Sequence, residues 1–147
     1  MIGLTLLRSA LPAVALAACV MCASPVFAET VSFKADLKAS EEVPPNDSKG
    51  TGTVTATYDT ASKKLTWKGN YSGLSGPATM AHFHGPAEPG KNAGVAVPIA
   101  PSASPFENSA NLTDAQAADL LAGRWYVNVH TGAHPGGEIR GQLVKGM

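Results

Sequence analysis

From Thr30 onward the chain alternates apolar and polar side chains in short segments, and glycine, proline and asparagine separate these segments. The segment 30–39 shows the alternation most clearly, because every second residue from Val31 to Leu37 is apolar. A period of two residues is that of a β-strand with one buried face, whereas an amphipathic helix repeats every 3.6 residues. This feature therefore restricts the chain to a fold made of short strands.

Turn residues divide the chain into seven predicted strands, which are 30–39, 51–59, 63–74, 78–84, 93–100, 124–131 and 137–144. The second and third strands form a hairpin across a short turn, and Pro98 limits the fifth to a sheet edge or a strand end. One helix begins after Thr113, where Gln116 completes a capping box, and it ends at Gly123. The pattern predicts an all-β fold, an antiparallel Greek-key-like sandwich or flattened barrel, with one short helix in a connection.

Residues 1–28 are expected to be a signal peptide rather than part of the fold. An apolar run leads to Val26-Phe27-Ala28, a small-residue cleavage site before a polar residue. Cleavage there leaves residues 29–147 as one domain, in the periplasm or secreted. In the alternative, Leu16–Cys19 is a lipobox, and a lipid on Cys19 anchors the protein to a membrane. The apolar run is too short and interrupted for a mature membrane span.

Cysteine content and charge exclude several classes of function. Both cysteines, Cys19 and Cys22, precede the predicted cleavage site, so the mature chain has no disulfide and no thiolate ligand. Once Arg8 is removed with the leader, acidic and basic residues nearly balance, at a net charge of about −1. This balance gives no basic surface for a nucleic acid or an anionic membrane.

The 4 histidines of the chain lie in two pairs, His82 with His84 and His130 with His134. Alternation puts His82, His84 and His130 on the polar faces of their strands. Imidazoles two residues apart on a strand stand about 6.5–7 Å apart, and they can lean together on one ion at about 2.0–2.1 Å from each nitrogen. The pattern predicts a metal site formed by these three histidines, with His134 as a fourth ligand or a lid.

Nitrogen ligands without thiolate suit copper or zinc, and the order of divalent affinities favours copper. Other residues on the same faces are expected to support the site, with Met80 as a soft neighbour and Asn128, Glu138 and Arg140 orienting ligand rings or holding an anion. The simplest alternative for Glu138 and Arg140 is an ion pair in water, which contributes little. The acidic loop around Glu42 is expected to be solvated.

Three motifs together resemble the CHRD (chordin-type) domain family. They are "FKADLKASEEVPPNDSKGTGTVTATYD", "HFHGPA" and "YVNVHTGAHPGGEIRGQL", and the resemblance runs from Phe33 to Leu143. It implies an all-β extracellular module, present in single-domain bacterial exported proteins and as repeats in chordin, a secreted binder of growth factors. A single domain without repeats gives no ground for a growth-factor role, because function depends on sites rather than on folds.

The favoured interpretation is an exported copper-binding protein that sequesters or transfers its ion and is not an enzyme. Two alternatives stay open. In one, the polar face with Tyr126 and Arg140 docks a protein partner, and the histidines only form hydrogen bonds. In the other, an open copper position supports redox catalysis. Copper-zinc superoxide dismutases are also β-barrels with a His-x-His pair, but their long metal loop and structural disulfide have no counterpart here.

Overall fold

Residues 28–100 and 102–146 are described by this computed structural model. Their elements, in chain order, are β1 (Thr30–Lys38), β2 (Thr51–Asp59), β3 (Lys64–Ser72), β4 (Ala78–His84), β5 (Val95–Ile99), β6 (Phe106–Asn111), α1 (Asp114–Leu121), β7 (Tyr126–Thr131), β8 (Ile139–Gln142) and β9 (Val144–Lys145). The predicted signal peptide and the alternative lipid anchor at Cys19 fall on residues 1–27 and Ala28, almost wholly outside the described residues. Over the described ranges, no helix has the length and apolar character needed to cross a membrane.

The strands form one antiparallel sheet in the order β5-β4-β7-β8-β1-β2-β3-β6, and β9 pairs with β1. The two edge strands approach each other, since Asn108 Nδ2 donates a hydrogen bond of 2.6 Å to the carbonyl oxygen of Ala100. The sheet is therefore nearly closed into a barrel, which confirms the predicted fold class. Pro98 lies in β5, an edge strand, as expected.

The helix begins and ends as the sequence predicts. The hydroxyl of Thr113 accepts from the backbone N–H of Gln116, and the Gln116 side chain accepts from the backbone N–H of Thr113. Leu120 is buried in the core, and Gly123, with φ of +75°, provides the left-handed residue that ends the helix. Gln116 also donates to the carbonyl oxygen of Ala96 at 3.0 Å, which ties the helix to β5.

The barrel interior is apolar, and its aromatic rings lie directly beneath β4. Phe83 contacts Trp67 edge to face at 5.1 Å between ring centroids and lies 5.9 Å from the ring of Trp125. Trp125 also explains the glycine that follows His84, because a Cβ on Gly85 would collide with the indole ring. Packing of Phe83 inward fixes the orientation of β4, so that its histidines point outward.

Two features of the strands differ from what the sequence predicts. The strand β6 is not among the predicted strands, and it pairs with β3 from Phe106 to Asn111. On the outer faces of β7 and β8, the alternative that puts Glu138 and Arg140 in water is wrong, because Arg140 is 2 % exposed and Glu138 is 0 % exposed. Loops cover these faces through side-chain hydrogen bonds, such as that from Asn46 Nδ2 to the carbonyl oxygen of Glu138.

Candidate metal centre

Three histidines meet on the outer face of two neighbouring strands. His82 and His84 lie on β4, and His130 lies on β7, which pairs directly with β4. One ring nitrogen of each histidine lies within 4.8 Å of those of the other two. The ring centroids are 5.0 Å apart for His82 and His130, 5.4 Å for His82 and His84, and 6.2 Å for His84 and His130. Together these three side chains could hold a metal ion.

Backbone carbonyl groups determine which nitrogen is free in two of the rings. Nδ1 of His130 donates to the carbonyl oxygen of Pro135 at 3.0 Å, and Nδ1 of His84 donates to that of Ala93 at 3.0 Å. A carbonyl oxygen can only accept, so Nδ1 carries the proton and Nε2 of the neutral ring keeps its lone pair. Metal-bound histidines in proteins almost always donate their second N–H in this way. Both rings are therefore held in the tautomer that a metal ligand needs.

His82 completes the group through its contact with His130. Its Nδ1 lies 3.1 Å from Nε2 of His130, and since that Nε2 accepts, Nδ1 of His82 donates. Two nitrogens that each bind one ion at about 2.0–2.1 Å lie about 3.3–3.6 Å apart. The His82–His130 pair already has nearly this separation. For both atoms to act as ligands, the proton on Nδ1 of His82 must move to Nε2 of the same ring, and His84 must also adjust its position.

The electrostatic environment keeps two of the rings neutral. Burial lowers the pKa of His82 below its ordinary 6.5, and the neighbouring rings of His130 and His84 lower it further. Burial also lowers the pKa of His130; the hydrogen bond to Pro135 opposes this shift and the His84 ring adds to it. Neutral imidazoles are the form that binds a metal ion, so the protonation state at neutral pH suits ligation.

A stack of side chains supports His84 from within the structure. The rings of His84 and Tyr126 are nearly parallel, at 4.8 Å between centroids, and the guanidinium of Arg140 lies 3.5 Å from the Tyr126 ring centroid. Arg140 donates to Asn92 Oδ1 and to the carbonyl oxygen of Lys91. These contacts fix the loop that supplies the Ala93 carbonyl, and so they fix the orientation of the His84 ring.

Asn128 lies next to His84, and Glu42 lies next to Asn128. Oδ1 of Asn128 is 2.9 Å from Nε2 of His84. Glu42 is 5 % exposed, and its Oε1 has no hydrogen-bond partner among the described residues. Burial raises the pKa of Glu42 to about 7, although Arg140, Asn128 and the Val43 backbone each lower it. The Asn128 amide lies close enough to Glu42 to lower its pKa, but it does not form a well-directed hydrogen bond to Oε1.

The expectation that Glu42 is solvated is thus wrong. Among the acidic residues of that loop, Glu41 and Asp47 are exposed, but Glu42 turns inward beneath the segment that carries Gly137. Charge and polarity could not distinguish Glu42 from its neighbours. The sequence signal that could have distinguished Glu42 is its position in the first motif, directly before Val43-Pro44-Pro45.

The other predicted site residues lie around the three histidines at different distances. His134 is half-buried in the turn after β7 and is not part of the group that could hold an ion. Its neighbour Pro135 contacts His130 instead. Met80 pairs with His130 in the β4–β7 register and is 48 % exposed beside the site.

Glu138 has a different environment from the one expected. Its carboxylate accepts hydrogen bonds from Ser48 Oγ at 2.5 Å, from Ser75 N and Oγ at 2.7 Å each, and from Thr131 Oγ1 at 2.5 Å. The expected ion pair between Glu138 and Arg140 is not among the salt bridges of the described residues, so that expectation is wrong. Glu138 ties the loops that carry Ser48 and Ser75 to the end of β7 at Thr131.

The model of the CHRD domain matches residues 33–143, the same range over which the sequence motifs resemble that family. This range includes all three histidines of the group, Asn128 and Glu42. Comparison of the chain with curated proteins and with solved structures gave no match.

Proposed function

The chain belongs to the CHRD domain family, and from that premise we propose that this member is an exported protein that binds one metal ion through His82, His84 and His130. The observation that supports this most is the pair of carbonyl groups, those of Ala93 and Pro135, that take up the Nδ1 protons of two rings. They leave Nε2 unprotonated in both neutral rings, and one ring nitrogen of each of the three histidines lies within 4.8 Å of the other two.

Copper is the favoured ion, and zinc is the alternative. The ligand set is imidazole only, which suits both metals, and copper has the higher divalent affinity. Met80 adds a thioether beside the site, because it shares the outer face of β4 with His82 and pairs with His130 across the strands. Thioethers are soft ligands that suit Cu(I).

Sequestration or transfer of the ion, in the periplasm or after secretion, fits the site better than turnover. His82 lines a surface groove together with Met80 and Pro98, so one side of the group is open to an incoming ion or a delivering molecule. The alternative in which Tyr126 and Arg140 dock a protein loses support from their burial, at 3 % and 2 % exposure.

Calorimetric titration of the purified, exported protein with Cu(II) and Zn(II) tests the proposal. We expect one ion per chain and tighter binding of copper than of zinc. Elemental analysis of protein isolated from its own compartment should find the same ion. If neither metal binds, the proposed function is wrong. If zinc binds more tightly than copper, the assignment of copper is wrong but the proposed metal site stands.

Metal affinity should depend on pH in a direction that the histidine environment sets. Protons compete with the ion for the same lone pairs, so affinity falls once pH drops below the pKa of the rings. Because the pKa values of His82 and His130 lie below the ordinary 6.5, we expect affinity to hold at pH 6.5 and to fall as the pH is lowered further. Dissociation constants measured across this range would contradict the assignment of histidine ligands if they stayed constant.

A further inference from the structure

His84 is the most constrained of the three imidazoles. Its Nδ1 donates to the carbonyl oxygen of Ala93, and its Nε2 lies 2.9 Å from the side-chain amide of Asn128. An ion bound to Nε2 at about 2.0–2.1 Å would overlap that amide group. His84 can therefore become a ligand only after the Asn128 side chain has moved aside. An ion that finds its third ligand elsewhere would bind without this rearrangement.

The open side of the same site carries another donor, the thioether of Met80. Met80 lies two residues before His82 on the outer face of β4, and it pairs directly with His130 on β7. Opposed residues in an antiparallel pair have Cβ atoms about 4.5–5.5 Å apart. Because the methionine side chain is unbranched and has three rotatable bonds, its sulfur can reach an ion that both imidazoles hold.

The surroundings of Met80 leave its sulfur accessible. The side chain is 48 % exposed, and it lines a surface groove together with His82 and Pro98. A single exposed apolar residue is ordinary in a folded protein. What distinguishes Met80 is its position, since its neighbours along and across the outer face are the two imidazoles whose nitrogens lie 3.1 Å apart.

The two possible third ligands suit different ions. A thioether is a soft ligand, and soft ligands select Cu(I). Zinc is bound in proteins by thiolate, imidazole and carboxylate groups, and imidazole also suits Cu(II). The chemistry of the third ligand therefore depends on which ion is bound.

We propose that Met80 is the third ligand of a cuprous ion, Cu(I), which His82 and His130 also bind. For zinc and Cu(II), His84 takes the third place. The inference rests on the proposed metal-binding function and adds the oxidation state of copper that the open side receives. Cu(I) enters from the groove and leaves the Asn128 side chain where it is.

Substitution of Met80 by leucine tests the proposal, because leucine keeps the size and apolar character of the side chain and removes the sulfur. We expect Cu(I) affinity to fall at least about tenfold, the smallest loss typical for a residue that supports a metal site. Zinc affinity should change less than about twofold, since zinc does not use the thioether. Competition with a coloured Cu(I) chelator, under ascorbate and without oxygen, measures the first value. Unchanged Cu(I) affinity, or equal losses for both ions, would overturn the proposal.

The matched control is Met147→Leu, which removes a thioether that neither β4 nor β7 carries. We expect it to leave both affinities unchanged, and thermal unfolding of each metal-free variant verifies that the fold is intact. A loss of Cu(I) affinity as large as that in the Met80 variant would mean that the ion has no preference for the thioether beside the histidines, and it would count against the proposal.

Nuclear magnetic resonance identifies the third ligand directly, because Cu(I) and Zn(II) are both diamagnetic. Cu(I) should shift the methyl resonance of Met80 and leave Nε2 of His84 near its metal-free position, whereas zinc should do the reverse. If the unaltered protein binds neither copper nor zinc, both the proposed function and this inference fail. If it binds zinc and Cu(I) leaves the Met80 methyl resonance unmoved, only the inference fails.

Discussion

We expect the double variant His82→Ala/His130→Ala to bind copper and zinc at least about a hundredfold more weakly than the unaltered protein. Loss of a residue that hydrogen-bonds to a metal ligand typically lowers metal affinity ten- to a hundredfold. This variant removes two of the proposed ligands themselves. The remaining His84 cannot hold an ion by itself against competition from water. Isothermal calorimetry with both metals measures the change directly.

His134→Ala is the matched control, because it removes a histidine from the same chain but outside the group of three. We expect its dissociation constants to stay within about threefold of the unaltered protein. Unchanged binding in the double variant would refute the proposed site, and a large loss in the His134 variant would make that residue a fourth ligand. Far-ultraviolet circular dichroism of each variant shows whether the barrel has formed.

Glu138→Ala should destabilise the fold by about 3–5 kcal/mol, the range found when one partner of a buried charged network is removed. The carboxylate of Glu138 is fully buried and accepts four hydrogen bonds, from Ser48, Ser75 and Thr131. Alanine leaves the hydroxyl groups and the Ser75 N–H without an acceptor inside the protein. Urea unfolding at neutral pH measures the loss, and the exposed Glu41→Ala provides a control with an expected change within about 0.5 kcal/mol.

The same carboxylate predicts how stability depends on pH. Burial alone would raise the pKa of Glu138, but hydrogen bonds from Ser48, Thr131 and Ser75 outweigh it and hold the pKa at about 2, below the ordinary 4.5. A pKa lowered by folding stabilises the protein above the unfolded value, so this contribution is complete above about pH 4.5 and is lost as pH falls toward 2. In Glu138→Gln the loss of stability between pH 5 and 2 should be smaller by about 3 kcal/mol. If the free energy of unfolding fell equally with pH in the two proteins, this explanation would be wrong.

The alternation of apolar and polar residues was enough to predict most of the strands. The strands β1, β2 and β4 begin where the pattern begins, because apolar residues such as Phe33, Val54 and Phe83 occupy one face of each. The capping box at Thr113 likewise requires only local information. These features depend on neighbours within a few residues, which a sequence displays directly.

Features that depend on distant contacts could not be predicted in this way. The strand β6 has the sequence Phe-Glu-Asn-Ser-Ala-Asn, in which only Phe106 has a clear preference for strands, and it is extended because β3 offers a free edge. The burial of Arg140 and Glu138 depends on loops that fold over them from far along the chain. Alternation identifies the face of a strand, but it does not reveal what covers that face.

In the candidate site, too, the features set by local sequence could be predicted, and those set by distant contacts could not. The outward direction of His82, His84 and His130 follows from strand pleating, and the sequence therefore predicted which imidazoles could converge. The carbonyl groups of Ala93 and Pro135 belong to loops, and the acceptor role of any backbone carbonyl is invisible in a sequence. Glu42 was missed for a related reason, since its burial depends on packing against Gly137.

All three imidazoles belong to β4 and β7, which the sheet already joins by backbone hydrogen bonds. An ion bound there closes no loop of chain that the barrel has left open, unlike the ion of a zinc finger, without which the domain unfolds. Stripping the protein with a chelator should therefore leave a folded scaffold that can be recharged. An ion at such a site could leave or enter without any change in the fold.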